Sequence, residues 1–279
     1  MVRRTIASEV SVGGTALHAG CEVRLTVTPA LPGAGIVFKR SGREIPARYD
    51  TVSETRLGTV IAAGGVSIGV IEHLMSAVAG FELDDLLIVV DGPEPPILDG
   101  DARSFLDLMM RAGARESDAD RAAVKVLRTV TVEQGGASCS LHLADIASYE
   151  FTIEFPSKAI GRQTYAFPFT RAGYAREIAP ARTFGFLSEL ETLNKMNLAR
   201  GASLENTLAI DGDEVVNAQL LRFSDEFVRH KILDAIGDMA LAGAPLIARF
   251  EGFKSGHALN NALLRKLFSD EANYELVRV

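Results

Sequence analysis

Cysteine is nearly absent from this 279-residue sequence, occurring only as Cys21 and Cys139. The two lie far apart in strand-like segments, which excludes a disulfide framework and a thiolate zinc site, so any metal here must be held by histidine and carboxylate. Long apolar runs are missing as well. No stretch approaches the roughly 20 residues that span a bilayer, and the opening MVRRTIASEV lacks the apolar segment of a signal peptide despite its two arginines. A cytoplasmic protein with at most peripheral membrane contact is therefore expected. Basic charge is not in excess: 29 Lys and Arg against 36 Asp and Glu give a formal net charge of -7, and the cations are scattered. That removes the electrostatic footprint of a nucleic-acid binder. Low-complexity tracts are also lacking, and 47% hydrophobic with 23% charged residues describes a folded globular chain.

The length suffices for two domains, each with its own core. Alternating segments at Thr5 to Val12, Glu22 to Val27 and Leu57 to Ala62 predict short antiparallel strands. The period then changes to helical in IEHLMSAVAG from Ile71, followed by a strand, LLIVVDG, and a helix, FLDLMMRAG. Residues 113–123 are charged and aperiodic, which predicts a linker or an exposed helix end. The second half repeats the order. Strands are predicted at Val124 to Gln134, Ser138 to Leu143, Tyr149 to Phe155 and Thr164 to Phe169, then a long helix (SDEFVRHKILDAIGDMALAG), a strand (PLIARFEG) and a last helix (HALNNALLRKLF). The shared order suggests an old duplication, with domains over 1–118 and 124–279. His73 and His230 then sit on matching helices, so a pseudo-twofold arrangement would bring both to the central seam.

Five histidines are present: His18, His73, His142, His230 and His257. On the long helix, with Ser224 as expected N-cap, Val228, Ile232, Ile236 and Met239 form one apolar side and His230, Asp234 and Asp238 a polar stripe. His and Asp one turn apart can offer a nitrogen and an oxygen to one cation, and the same spacing also suits a solvated face. Glu72 beside His73 is how several zinc hydrolases place a general base near the metal, although the rest of an HExxH pattern is absent; a partly buried helix-start histidine is the alternative. If His73 is a ligand, His230 and Asp234 complete a His2Asp set with an open position. His257, at the start of the last helix, is disfavoured as a cation by the helix dipole and favoured by a carboxylate such as Asp238, so it is a candidate to protonate a leaving amine or simply a helix-start residue. Thr183, in PARTFGF, is either an oxyanion donor or a turn threonine. Lys231 is a candidate phosphate or sugar contact, or solvated. PEPPILDGDA reads as a turn and cap around Asp99 and Gly100, and His142 receives no role.

Together these motifs resemble the UDP-3-O-acyl-N-acetylglucosamine deacetylases, the zinc enzymes of lipid A synthesis in Gram-negative bacteria. IEHLMSAVAG, DGPEPPILDGDA, IAPARTFGF, LRFSDEFVRHKILDAIGD and KSGHALN stand in the family's order and spacing over essentially the whole chain. The resemblance implies an α+β protein of two similar domains, each a mainly antiparallel sheet with helices on one face, and an active site between them. It implies His73, His230 and Asp234 as ligands of catalytic zinc (iron(II) suits the same set), Glu72 as general base, His257 as general acid and Asp238 as its orienting partner. Thr183 would stabilise the oxyanion, and Lys231, Phe184 and His18 would contact substrate. The expected partner is an acylated UDP-N-acetylglucosamine, bound by a monomer whose insert at about 186–210 houses the acyl chain; Phe186, Leu187, Leu190 and Leu193 there recur at helical spacing, as in any amphipathic helix. Ala16 stands where the family commonly has glycine, and ARGAS from Ala199 replaces a more apolar run. A metal-independent acid-base enzyme and a non-catalytic nucleotide-sugar binder are the competing readings; a small-molecule kinase is disfavoured because no glycine-rich phosphate loop opens a helix.

Overall fold

The computed structural model describes residues 1–279. Strand β1 (Val2–Ile6) separates from β2 (Val10–Thr15), where one continuous segment is predicted, because the two join different sheets. They are followed by β3 (Glu22–Pro29), β4 (Ile36–Arg40) and β5 (Arg43–Pro46). A small sheet of β6 (Val52–Glu54), β7 (Val60–Ala63) and β8 (Val66–Ile68) leads into α1 (Glu72–Gly80), then β9 (Leu86–Val90) and α2 (Arg103–Ala112). The five-stranded sheet runs β2-β3-β9-β4-β5, with β9 in the middle, antiparallel to β3 and parallel to β4.

The second half begins with β10 (Ala114–Asp120) and β11 (Ala122–Val126), followed by β12 (Val130–Gln134), β13 (Ala137–His142), β14 (Ser148–Glu154) and β15 (Arg162–Pro168). The turn α3 (Arg171–Gly173) precedes an insert of β16 (Phe184–Phe186), α4 (Leu187–Lys195), β17 (Leu208–Asp211) and β18 (Glu214–Val215). Helix α5 (Glu226–Met239), β19 (Leu246–Ile247), β20 (Arg249–Phe253), α6 (His257–Phe268) and β21 (Tyr274–Arg278) complete the chain. Its five-stranded sheet runs β12-β13-β20-β14-β15, with β20 central, antiparallel to β13 and parallel to β14. The two halves thus insert the strand that follows their first long helix into the same place. This is an α+β fold of two similar sheet-and-helix halves.

Several predicted elements are corrected. The charged stretch after Gly113 is not a linker: β10 pairs with β1 as a two-stranded ribbon. Its stability comes from the ladder rather than a buried face, so it leaves no hydrophobic period to read. The segments 124–134 and 245–252 each split between two strands that serve different sheets. Ser224 does not cap α5, whose N-cap is Asp225. Strand β21 was not predicted, and all five of its residues are at least partly exposed.

Helices α1 and α5 pack against each other along the seam, inside an apolar core that includes Leu25, Ile88, Phe151, Phe250, Ile232 and Leu263. Both faces of α5 are buried: Val228, Ile232 and Ile236 on one side and His230, Asp234 and Asp238 on the other. Gly80 closes α1 where the ring of Tyr174 fills the space a side chain would occupy, and the Tyr174 hydroxyl meets Ser76 Oγ at 2.9 Å.

Candidate active site

His73, the second residue of α1, meets His230 and Asp234, one turn apart on α5. One ligand atom from each of the three lies within 4.8 Å of the other two. Asp234 Oδ1 is 3.5 Å from His73 Nε2 and 3.4 Å from His230 Nε2, and the two imidazoles stand edge to face with centroids 4.9 Å apart. His230 Nδ1 donates to the Ala181 carbonyl at 3.1 Å, which fixes the tautomer and leaves Nε2 as a lone pair facing the cluster. Burial drives the His230 pKa down to about 3, with His73 and Lys231 adding to the effect against Asp234, so the ring is a neutral donor.

Burial resists ionisation of Asp234, but the Lys231 ammonium beside it outweighs that cost and holds the carboxyl well below the usual range. Lys231 Nζ satisfies Oδ2 at 2.7 Å. Oδ1 has no hydrogen-bond partner, nor has His73 Nδ1, although both are buried. An unpaired buried carboxylate oxygen costs roughly 1 to 3 kcal/mol or more, and a cation between it and the two imidazole nitrogens removes that cost. The residues present fit a divalent metal.

Beside this cluster, Glu72 Oε1 lies 3.7 Å from His257 Nε2. The other Glu72 oxygen accepts from the Thr59 N–H at 2.9 Å. His257 Nδ1 donates to Asp238 Oδ2 at 2.8 Å, and that oxygen also accepts from Asn260 Nδ2 at 2.8 Å. Burial opposes a charge on His257, yet Asp238 and Glu72 prevail and raise its pKa to about 9. Burial likewise raises the pKa of Glu72, against the pull of His257 and His73. The geometry offers a proton acceptor of weakened acidity next to a cationic donor.

A cleft of about 730 Å3 opens over both groups, lined by Glu72, His73, His230, Asp234 and His257 together with Thr183, Phe184 and Lys231. Thr183 is fixed through its N–H to the Gly100 carbonyl at 2.8 Å, so the DGDA turn helps to build the cleft as well as ending it. The helix there is bonded by Asp101, whose Oδ1 accepts from Ser104 N at 3.1 Å, rather than by Asp99. Phe184 stands edge-on to His230 with centroids 6.1 Å apart. His18 does not line the cleft: Nε2 lies 2.9 Å from the Leu57 carbonyl and Nδ1 accepts from Ala199 N at 3.3 Å, tying the cleft-wall loop to the insert. The helix expected in the insert is present as α4, with no buried residue.

A family model described as UDP-3-O-acyl N-acetylglycosamine deacetylase matches residues 3–269. The chain belongs to that family. A Myxococcus xanthus protein named UDP-3-O-acyl-N-acetylglucosamine deacetylase is 45% identical over 279 residues, covering 99% of this chain and 89% of its own. Proteins of the same name from Phenylobacterium zucineum and Nautilia profundicola are each 44% identical, covering 96% and 99% of this chain and 93% and 95% of theirs. Membership makes this chain a deacetylase-family hydrolase with a candidate metal site at His73, His230 and Asp234. No helix is long and apolar enough to cross a membrane. The residues that sequence reasoning missed are Thr59 and Asn260. Asn260 had a signal, since it sits one turn after His257 on the same helix, whereas Thr59 had none.

Proposed function

We propose that this protein hydrolyses the acetamide of UDP-3-O-(3-hydroxyacyl)-N-acetylglucosamine, releasing acetate and the free amine, as a zinc-dependent cytoplasmic step of lipid A synthesis. The observation that carries the reading is the adjacency of two groups in one cleft: three buried ligands converging within 4.8 Å, and the Glu72 and His257 pair 3.7 Å apart beside them. His73, His230 and Asp234 would hold the zinc, which would supply Lewis acidity for generating a nucleophile from water near neutral pH and for polarising a carbonyl.

The protein's own groups account for the remaining needs of amide hydrolysis. Glu72 Oε1 faces the cleft and takes the proton of the attacking water, a role suited to a carboxylate whose burial has raised its basicity. His257 is protonated across the neutral range, and its Nε2 gives a proton to the departing glucosamine nitrogen. Asp238 fixes the imidazolium through Nδ1. The Thr183 hydroxyl donates to the developing oxyanion, and Lys231 and Phe184 line the path of the sugar. The acyl chain leaves the cleft along Phe186 and α4. Incubation of the zinc-loaded protein with the acylated UDP-sugar, with acetate and free amine measured, is expected to show both products in equal amounts; their absence overturns the reading.

A further inference from the structure

We propose that Thr59 is a positioning residue that selects which oxygen of Glu72 and which oxygen of Asp238 take part in proton transfer. This rests on the reading of Glu72 and His257 as the proton-transfer pair. Thr59 is 2% exposed and precedes β7 in the first half of the chain. Its N–H donates to Glu72 Oε2 at 2.9 Å, and its hydroxyl donates to Asp238 Oδ1 at 2.6 Å. Its carbonyl accepts from Ile71 N at 3.4 Å, at the entry to α1.

Each carboxylate is thereby occupied on one oxygen and presented by the other. With Oε2 held, Glu72 turns Oε1 to the cleft and to His257 Nε2. With Oδ1 held, Asp238 turns Oδ2 to His257 Nδ1 and Asn260. A hydroxyl donating to a carboxylate at this length is a charge-assisted bond, and the β-branched side chain has few rotamers in which to make it. The preceding residue makes room. A Cβ on Gly58 would lie 2.9 Å from Glu72 Oε1, and its φ of +142° suits glycine. One dipeptide therefore holds one oxygen of the base, clears space for the other, and reaches across the seam to α5.

The test compares wild type with Thr59→Val and Thr59→Ser in steady-state acetate release from the acylated UDP-sugar, with zinc content and thermal melting measured on each. Thr59→Val keeps the main-chain bond and removes the hydroxyl, so kcat is expected to fall roughly 10- to 100-fold, with KM and zinc content little changed. Thr59→Ser is expected to restore most of kcat. Where the valine variant does not fold, Thr59→Ala takes its place with the same expected loss, since a smaller side chain cannot overpack the site. Unimpaired kcat without the hydroxyl, or a serine variant no better than valine, overturns the role of Thr59 while wild-type activity leaves the proposed function standing. A wild-type protein that releases no acetate overturns both.

Discussion

Gly237 on α5 faces the main chain of Glu72 at the start of α1 so closely that a Cβ on it would lie 2.0 Å from the Glu72 carbonyl oxygen and 2.8 Å from its carbonyl carbon. A mid-helix glycine costs about 1 kcal/mol relative to alanine, so its presence here is a matter of fit. Direct backbone contact at this crossing places His73, the next residue of α1, within 3.5 Å of Asp234, three residues before Gly237.

Gly237→Ala must therefore push α1 and α5 apart, because the obstacle is main chain and cannot rotate away. Overpacking of this kind costs about 1 to 3 kcal/mol, and the three metal ligands no longer converge. A lower melting temperature for the metal-free protein and zinc affinity weakened roughly tenfold or more are expected, the latter read by competition with a chromophoric chelator. If both quantities match wild type, the crossing does not set the site.

Glu72→Gln keeps a side-chain oxygen for the Thr59 N–H but cannot accept a proton. Zinc content should be unchanged while kcat falls by roughly 100- to 10,000-fold, the usual worth of a general base. Steady-state kinetics beside metal analysis decide the matter, and turnover close to wild type removes Glu72 from the role.

The pH dependence of stability has two limbs of opposite sign. His257 has its pKa raised to about 9 in the fold, so its stabilising contribution is complete below its unfolded value of 6.5 and disappears as pH climbs through about 9. His230 has its pKa lowered to about 3, so falling pH below 6.5 favours the unfolded chain, which takes up the proton more readily. Thermal melts of the metal-free protein should show greatest stability near pH 6.5, with an alkaline loss of no more than about 3 kcal/mol attributable to His257. His257→Gln should flatten the alkaline limb; an unaltered limb would assign it to other groups.

What the sequence disclosed follows from the range of the interactions. The stripe of His230, Asp234 and Asp238 was legible because residues four apart on one helix must share a face, and the duplicated order of strands and helices was legible because both halves carry the same sequence of periods. Strand β10 was not, since a strand stabilised by its ladder with mostly exposed side chains need not alternate. Thr59 was invisible for another reason. It lies 13 residues from Glu72 and 179 from Asp238, and only the crossing of the two halves makes them neighbours. His18 shows the converse, a histidine conspicuous in its turn whose ring nitrogens both engage backbone groups.

Removal of the metal gives a further test, because the buried ligands carry an electrostatic cost that only a cation relieves. Asp234 Oδ1 has no hydrogen-bond partner, and two imidazole nitrogens face it at 3.4 and 3.5 Å. Binding to the folded state alone stabilises it by about 2.7 kcal/mol when free metal is 100 times its Kd, so chelation should lower the melting temperature as it abolishes acetate release. Zinc added back should restore both. Asp234→Ala should remove the thermal response to zinc, since the remaining imidazoles lack the anionic oxygen that balances the cation. Protein freed of metal, verified by elemental analysis and still fully active, would leave Glu72, His257 and Asp238 to act without it and would overturn the zinc-dependent mechanism.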